Sequence, residues 1–117
     1  MPALSEVVRA LAAREGVDAV VVVSPDGLPI DHAAHTPCDA DALAALTATL
    51  LRPAGRLGET ARGGALARAV FEFGGGIAIV SVLGDGNALL VVAGAGADVG
   101  AMLYDLRRHA PALNALL

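Results

Sequence analysis

The sequence predicts an α+β fold: a five-stranded antiparallel sheet with helices on both faces, in the order α-β-β-α-β-β-β-α. Three observations carry this expectation. Five short apolar or alternating segments have strand character. The links inside the pairs of neighbouring strands are short and rich in Gly, Pro, Asp and Asn, as hairpins require. Three further segments, at the two ends and in the middle, repeat their apolar residues at helical spacing. At 117 residues the chain is expected to be one domain over 1–117 with an adequate but small core.

The elements follow in order. Ala3–Arg14 is a short helix, with Leu4, Val7, Val8 and Leu11 on one face and Gly16 ending it. Val17–Ser24 contains four consecutive valines, Val20–Val23, the mark of a strand buried on both faces. Ser24-Pro25-Asp26-Gly27 is a hairpin turn, since proline presets φ and glycine accepts φ > 0. Leu28–Ala34 returns as the second strand, and Pro29 places it at a sheet edge. A long helix follows over about Asp39–Ala61, capped by Asp39 or Asp41. Ala65–Phe73, Ile77–Leu83 and Ala88–Ala93 are the remaining strands, joined by Gly74-Gly75-Gly76 and Gly84-Asp85-Gly86-Asn87. The last helix begins near Asp98, with Val99, Met102, Leu103, Leu106, Ala110 and Leu113 at helical spacing.

The long helix is the most informative segment. Leu43, Leu46, Leu50, Ala54, Leu57 and Ala61 form one apolar stripe, sufficient to dock on the sheet. Ala44, Ala48, Leu51 and Gly55 form a second, of small residues that permit close approach of another helix. A helix that buries one face needs no second stripe, so these four are expected at a symmetric dimer contact. The third face carries Ala45, Thr49, Arg52, Arg56 and Glu59. Pro53 should cost about 3 kcal/mol and either bend the helix or break it in two. In the strand that follows, Ala67, Ala69, Phe71 and Phe73 point one way, and Leu66, Arg68, Val70 and Glu72 the other. As an edge, that strand could pair with a copy of itself, bringing Arg68 of one chain towards Glu72 of its mate.

Composition bounds the function. Hydrophobic residues make up 56% of the chain and mean hydropathy is +0.64. No run of about 18 apolar residues exists to insert in a membrane, and no secretory leader is evident. The apolar excess points to self-association. Net charge is −4, all eight basic residues are arginine, and only Phe71, Phe73 and Tyr104 are aromatic. This argues against nucleic-acid binding. The single Cys38 forms no internal disulfide and fits a cytoplasmic setting.

Three candidate chemistries fall short. Gly94, Gly96 and Gly100 between a strand and a helix resemble a phosphate cradle. However, their spacing leaves three residues where the dinucleotide fingerprint leaves two, and only 17 residues follow Gly100, too few for the next strand and its acidic residue. Asp98 reads better as a helix N-cap. Asp31, His32, His35, Cys38 and Asp39 are of metal-ligand type, but His32 and His35 sit on opposite faces of a strand end and no second ligand pair follows. Cys38 with His35 lacks an oxyanion site. No catalytic residue, cofactor or metal is expected.

Several segments together resemble the roadblock family, which is named for dynein light chains and includes the bacterial MglB-type regulators. They are Ser24-Pro25-Asp26-Gly27-Leu28-Pro29-Ile30, Leu43-Ala44-Ala45-Leu46, and Gly96–Gly100 with Leu103-Tyr104-Asp105-Leu106-Arg107-Arg108. Val99, in place of a polar residue, and Pro53, within a usually continuous helix, depart from the pattern. The resemblance implies a homodimer or paralogue heterodimer, built by pairing the long helices and third strands. Its seam would hold Ala44, Ala48, Leu51, Gly55 and the strand residues Ala67, Ala69, Phe71 and Phe73. It further implies a non-enzymatic partner for a small Ras-like GTPase, acting on hydrolysis or exchange through the switch loops. The GTPase-facing surface would hold Ala45, Thr49, Arg52 and Arg56. An arginine finger from Arg52 or Arg56 is conceivable, but the resemblance favours switch-loop repositioning. The alternative is a purely structural dimerisation scaffold in a larger complex.

Overall fold

The computed structural model describes residues 3–117. Helix α1 (Leu4–Ala12) leads into strands β1 (Val17–Val23) and β2 (Pro29–Ala34). Helix α2 (Ala40–Thr60) then crosses to β3 (Arg68–Phe73), β4 (Gly76–Val82) and β5 (Ala88–Gly94), and helix α3 (Val99–Leu116) closes the chain. All strand pairs are antiparallel, in the order β2-β1-β5-β4-β3. The expected α+β order and the Pro29-bearing edge strand are therefore present.

Central position explains the valine run. Val20 and Val22 face α1 and α3, joining Val8, Leu11, Ile79, Leu106 and Leu113 in the larger core. Val21 and Val23 face α2, with Ala44, Val80 and Leu90. The alternation of a strand thus gives each of two cores its own pair of valines.

The caps are local chemistry. Asp39 Oδ1 accepts from the Ala42 amide at 3.0 Å, and Asp98 Oδ1 from the Ala101 amide at 3.0 Å, each satisfying an orphan N–H of a first turn. Helix α2 ends in a Schellman turn: the Gly63 amide reaches the Gly58 carbonyl at 2.8 Å and the Arg62 amide the Glu59 carbonyl at 3.1 Å. Arg62 takes the left-handed conformation, φ +60°, that glycine usually supplies.

Of the two outcomes expected at Pro53, a bend or a break, the structure excludes the break: α2 runs unbroken from Ala40 to Thr60. Pro111 likewise lies inside a continuous α3. Both prolines are exposed, so water can reach the carbonyls they leave without a donor. The two apolar stripes of α2 do not divide as expected: Leu43 of the first and Ala48 and Leu51 of the second are all half-buried against the same core. Ala44 is fully buried against its own sheet, while Leu46 is 61% and Leu57 71% exposed. The physical reason is proximity: β1 presents valines beneath the helix, and the first hairpin turn lies against its side. Only small residues fit there.

Candidate functional site

Helix α2 lies over β1, β2 and β5 and leaves the β3–β4 end of this sheet face without a helical cover. Between its leucine flank and that end lies an apolar cavity of about 400 Å³, lined among others by Leu43, Leu46, Leu50, Phe71, Phe73 and Val92. Leu50 is 45% and Phe73 61% exposed. Large apolar side chains gathered at one exposed place mark an interaction surface. Among the described residues, the β3 edge beside it has no strand neighbour beyond it in the sheet.

The opposite flank of α2 is polar. Pro25, Asp26 and Gly27 of the first hairpin, with Ala45, Thr49 and Arg52, line a cleft of about 480 Å³. The Thr49 hydroxyl donates back to the Ala45 carbonyl at 2.9 Å. Arg56 extends the same exposed flank one turn further.

The seam residues expected from the sequence are therefore dispersed. Ala44 belongs to the internal core, because its methyl packs among Val21, Val23 and Leu90, and it is unavailable to a second chain. Ala48 and Leu51 are half-buried against the same core. Gly55 is half-buried with open space where a Cβ would stand. Ala69 and Phe71 are half-buried, and Ala67 and Phe73 exposed. Ala45, Thr49, Arg52 and Arg56 are all exposed. Sequence reasoning missed Leu46, Leu50 and Leu57 as surface residues. Their signal was the apolar excess itself, since they are the largest side chains on the helix.

The histidine-bearing loop is accounted for structurally. His35 Nε2 lies 2.6 Å from the Ala12 carbonyl, tying the end of β2 to the end of α1. Asp31 accepts from the His32 amide, Asp39 caps α2, and Cys38 is exposed. Among the described residues, no three of His, Cys, Asp and Glu converge as a metal site would require. The glycine-rich joint before α3 holds the Asp98 cap. Nearby, Arg14 Nε pairs with Asp105 Oδ2 at 3.4 Å.

Comparison with known structures bears on the whole arrangement. The chain superposes on a Roadblock/LC7 domain from Streptomyces avermitilis with a TM-score of 0.87 and 27% identity, covering 97% of each chain. MglB of Myxococcus xanthus gives a TM-score of 0.87 at 19% identity, covering 97% of this chain and 86% of that one. The gliding protein MglB of Thermus thermophilus gives 0.87 at 19%, with 97% and 87% covered. At these identities the two MglB proteins speak for the fold alone. No match came from comparison with curated proteins. Among the described residues no helix is long and apolar enough to cross a membrane. The family model of the Roadblock/LC7 domain matches residues 4–93, and the chain belongs to that family.

Proposed function

We propose that the protein is a dimeric binding module, without catalysis of its own, that engages a small Ras-like GTPase in the cytoplasm and regulates it through its switch loops. The observation that carries this reading is the division of α2 into two exposed flanks. The leucine flank, with the apolar cavity and the β3 edge, suits a second copy or a paralogue. The polar flank, with Thr49 and Arg52 in the cleft beside Asp26 and Arg56 one turn further, stays free for another partner. Family membership and the MglB-like fold support the identity of that partner as a GTPase. The single domain expected over 1–117 is the unit of this function.

The test has two steps. The purified protein captures partners from host lysate with and without a non-hydrolysable GTP analogue, and the captured GTPase is then assayed for GTP turnover and exchange. GTP-dependent capture of a small GTPase, weakened by Arg52→Ala or Arg56→Ala in folded protein, is the expected result. Unchanged binding by both variants rejects the polar flank as the docking surface. Nucleotide-independent capture of other proteins assigns the chain to a structural scaffold instead.

A further inference from the structure

Two cations on α3 have no task within the chain. Arg107 and Arg108 are both exposed. Arginines close to a helix C-terminus normally meet the negative end of its dipole. Helix α3, however, runs on through Pro111 to Leu116, so the pair stands about two turns before its end, out of reach of that effect. Nor do they serve an ion pair within the helix. Asp105, three positions before Arg108, is held by Arg14 at the end of α1. The other positions three and four residues from the pair hold Leu103, Tyr104, Ala110, Pro111 and Ala112, none of them acidic. What the pair does have is an aromatic neighbour. Tyr104 precedes both arginines by one turn, so they flank it, and it is 61% exposed. The Arg108 guanidinium lies 5.8 Å from the centre of its ring, a cation–π contact that limits the freedom of both side chains before anything binds. Ala101 and Pro111, both exposed, continue the ridge one turn to either side. The strip lies on the sheet face opposite α2: Leu106 and Leu113 fix α3 to the core that holds Val20 and Val22, whereas α2 covers the one that holds Val21 and Val23.

We propose that Tyr104, Arg107 and Arg108 form a docking surface for an acidic segment of a partner protein, whose carboxylates pair with the two guanidinium groups while an apolar side chain packs on Tyr104. Charge complementarity selects this occupant. In a chain of net charge −4 the two arginines are a local positive site, and a planar guanidinium matches a carboxylate in a bidentate pair. Tyrosine and arginine are also the side chains that carry binding energy at protein interfaces. A phospholipid surface asks for more: about 4–8 basic residues together, or bulky apolar groups beside them to insert. Ala101 and Pro111 supply neither. Nucleic acid asks for a longer basic stripe. Neither flank of α2 takes part, so the acidic segment and a partner on α2 are held at once. The surface does not depend on the GTPase reading.

The probe is a short fluorescein-labelled peptide of glutamates around one phenylalanine, with a control in which glutamine replaces every glutamate. Fluorescence anisotropy is expected to show binding of the acidic peptide alone, weakened by added salt. The double variant R107E/R108E, folded by circular dichroism, is expected to lose about tenfold or more in affinity, and Y104A several-fold. R52A and R56A, on the α2 flank, are expected to bind the peptide as wild type does. Amide shifts in two-dimensional NMR should gather on Ala101–Pro111. Absence of binding at millimolar peptide, binding indifferent to R107E/R108E, or shifts gathered on the α2 flank overturns the proposal. So does binding of phosphatidylglycerol vesicles that the double variant abolishes while the peptide is ignored, which reassigns the strip to a membrane surface. Failure to capture a GTPase leaves each of these results unchanged, so the two readings fall separately.

Discussion

Gly27 and Ala48 meet where the first hairpin lies against the long helix. A Cβ built on Gly27 would stand 3.3 Å from the Ala48 Cβ, and Gly27 itself holds φ at +79°. Both the backbone angle and the space therefore demand glycine. Gly27→Ala is expected to cost about 1–3 kcal/mol, read as a lower urea midpoint with unchanged m-value. Stability equal to wild type would show that the hairpin can lift from α2 freely.

The two helix caps give a prediction of additivity. Asp39→Ala and Asp98→Ala each remove an acceptor from a first-turn amide and are expected to cost about 1 kcal/mol apiece. The caps share no hydrogen-bond partner, so the double variant should lose the sum within about 0.5 kcal/mol. Denaturant unfolding of the four proteins completes the cycle.

Helix α3 lies beyond residues 4–93, which match the family model, yet it supplies core. Leu113 is fully buried against α1 and the sheet. Leu113→Ala is expected to destabilise by about 2–5 kcal/mol. A loss under about 0.5 kcal/mol, typical of a surface site, would mean that α3 is an appendage of the fold.

Leu50 offers a test of the proposed assembly that is independent of folding. Its side chain lines the apolar cavity while remaining substantially exposed. Leu50→Glu is expected to keep the helical content and abolish the dimer in sedimentation velocity. The wild-type melting temperature should rise with protein concentration, as it does for any oligomer that stabilises its folded subunits. That of the variant should not.

What the sequence revealed and what it concealed follow from the range of the forces involved. The turn at Ser24–Gly27, the Asp39 and Asp98 caps and the strand alternation at Ala67–Phe73 depend on neighbouring residues alone, and all were legible. The orientation of α2 was not. Periodicity shows that Leu43, Leu46, Leu50 and Leu57 share a stripe, and that Ala44 and Ala48 share another. It cannot say which stripe meets the chain's own sheet. That choice was made by the Val21–Val23 surface and by Gly27, residues distant in sequence; beside Gly27 there is room only for the methyl group of Ala48. The effect of Pro53 was illegible for the same reason: the cost of a lost hydrogen bond depends on whether water reaches the freed carbonyl. Metal-type residues around His35 suggested chemistry because sequence proximity was their only visible relation. In space, the His35 ring is committed to the Ala12 carbonyl.

The two ends of the sheet are unlike. At one end, β2 carries Pro29 and Asp31, features that discourage a further strand from adding. At the other, β3 presents an uninterrupted row of donors and acceptors. A chain with one receptive end has a valence of one. Once two receptive ends join, both are consumed and only the blunt ends remain outward. Growth by strand addition then halts at a pair, and a protein with so much apolar surface is spared the route to filaments that two receptive ends would open.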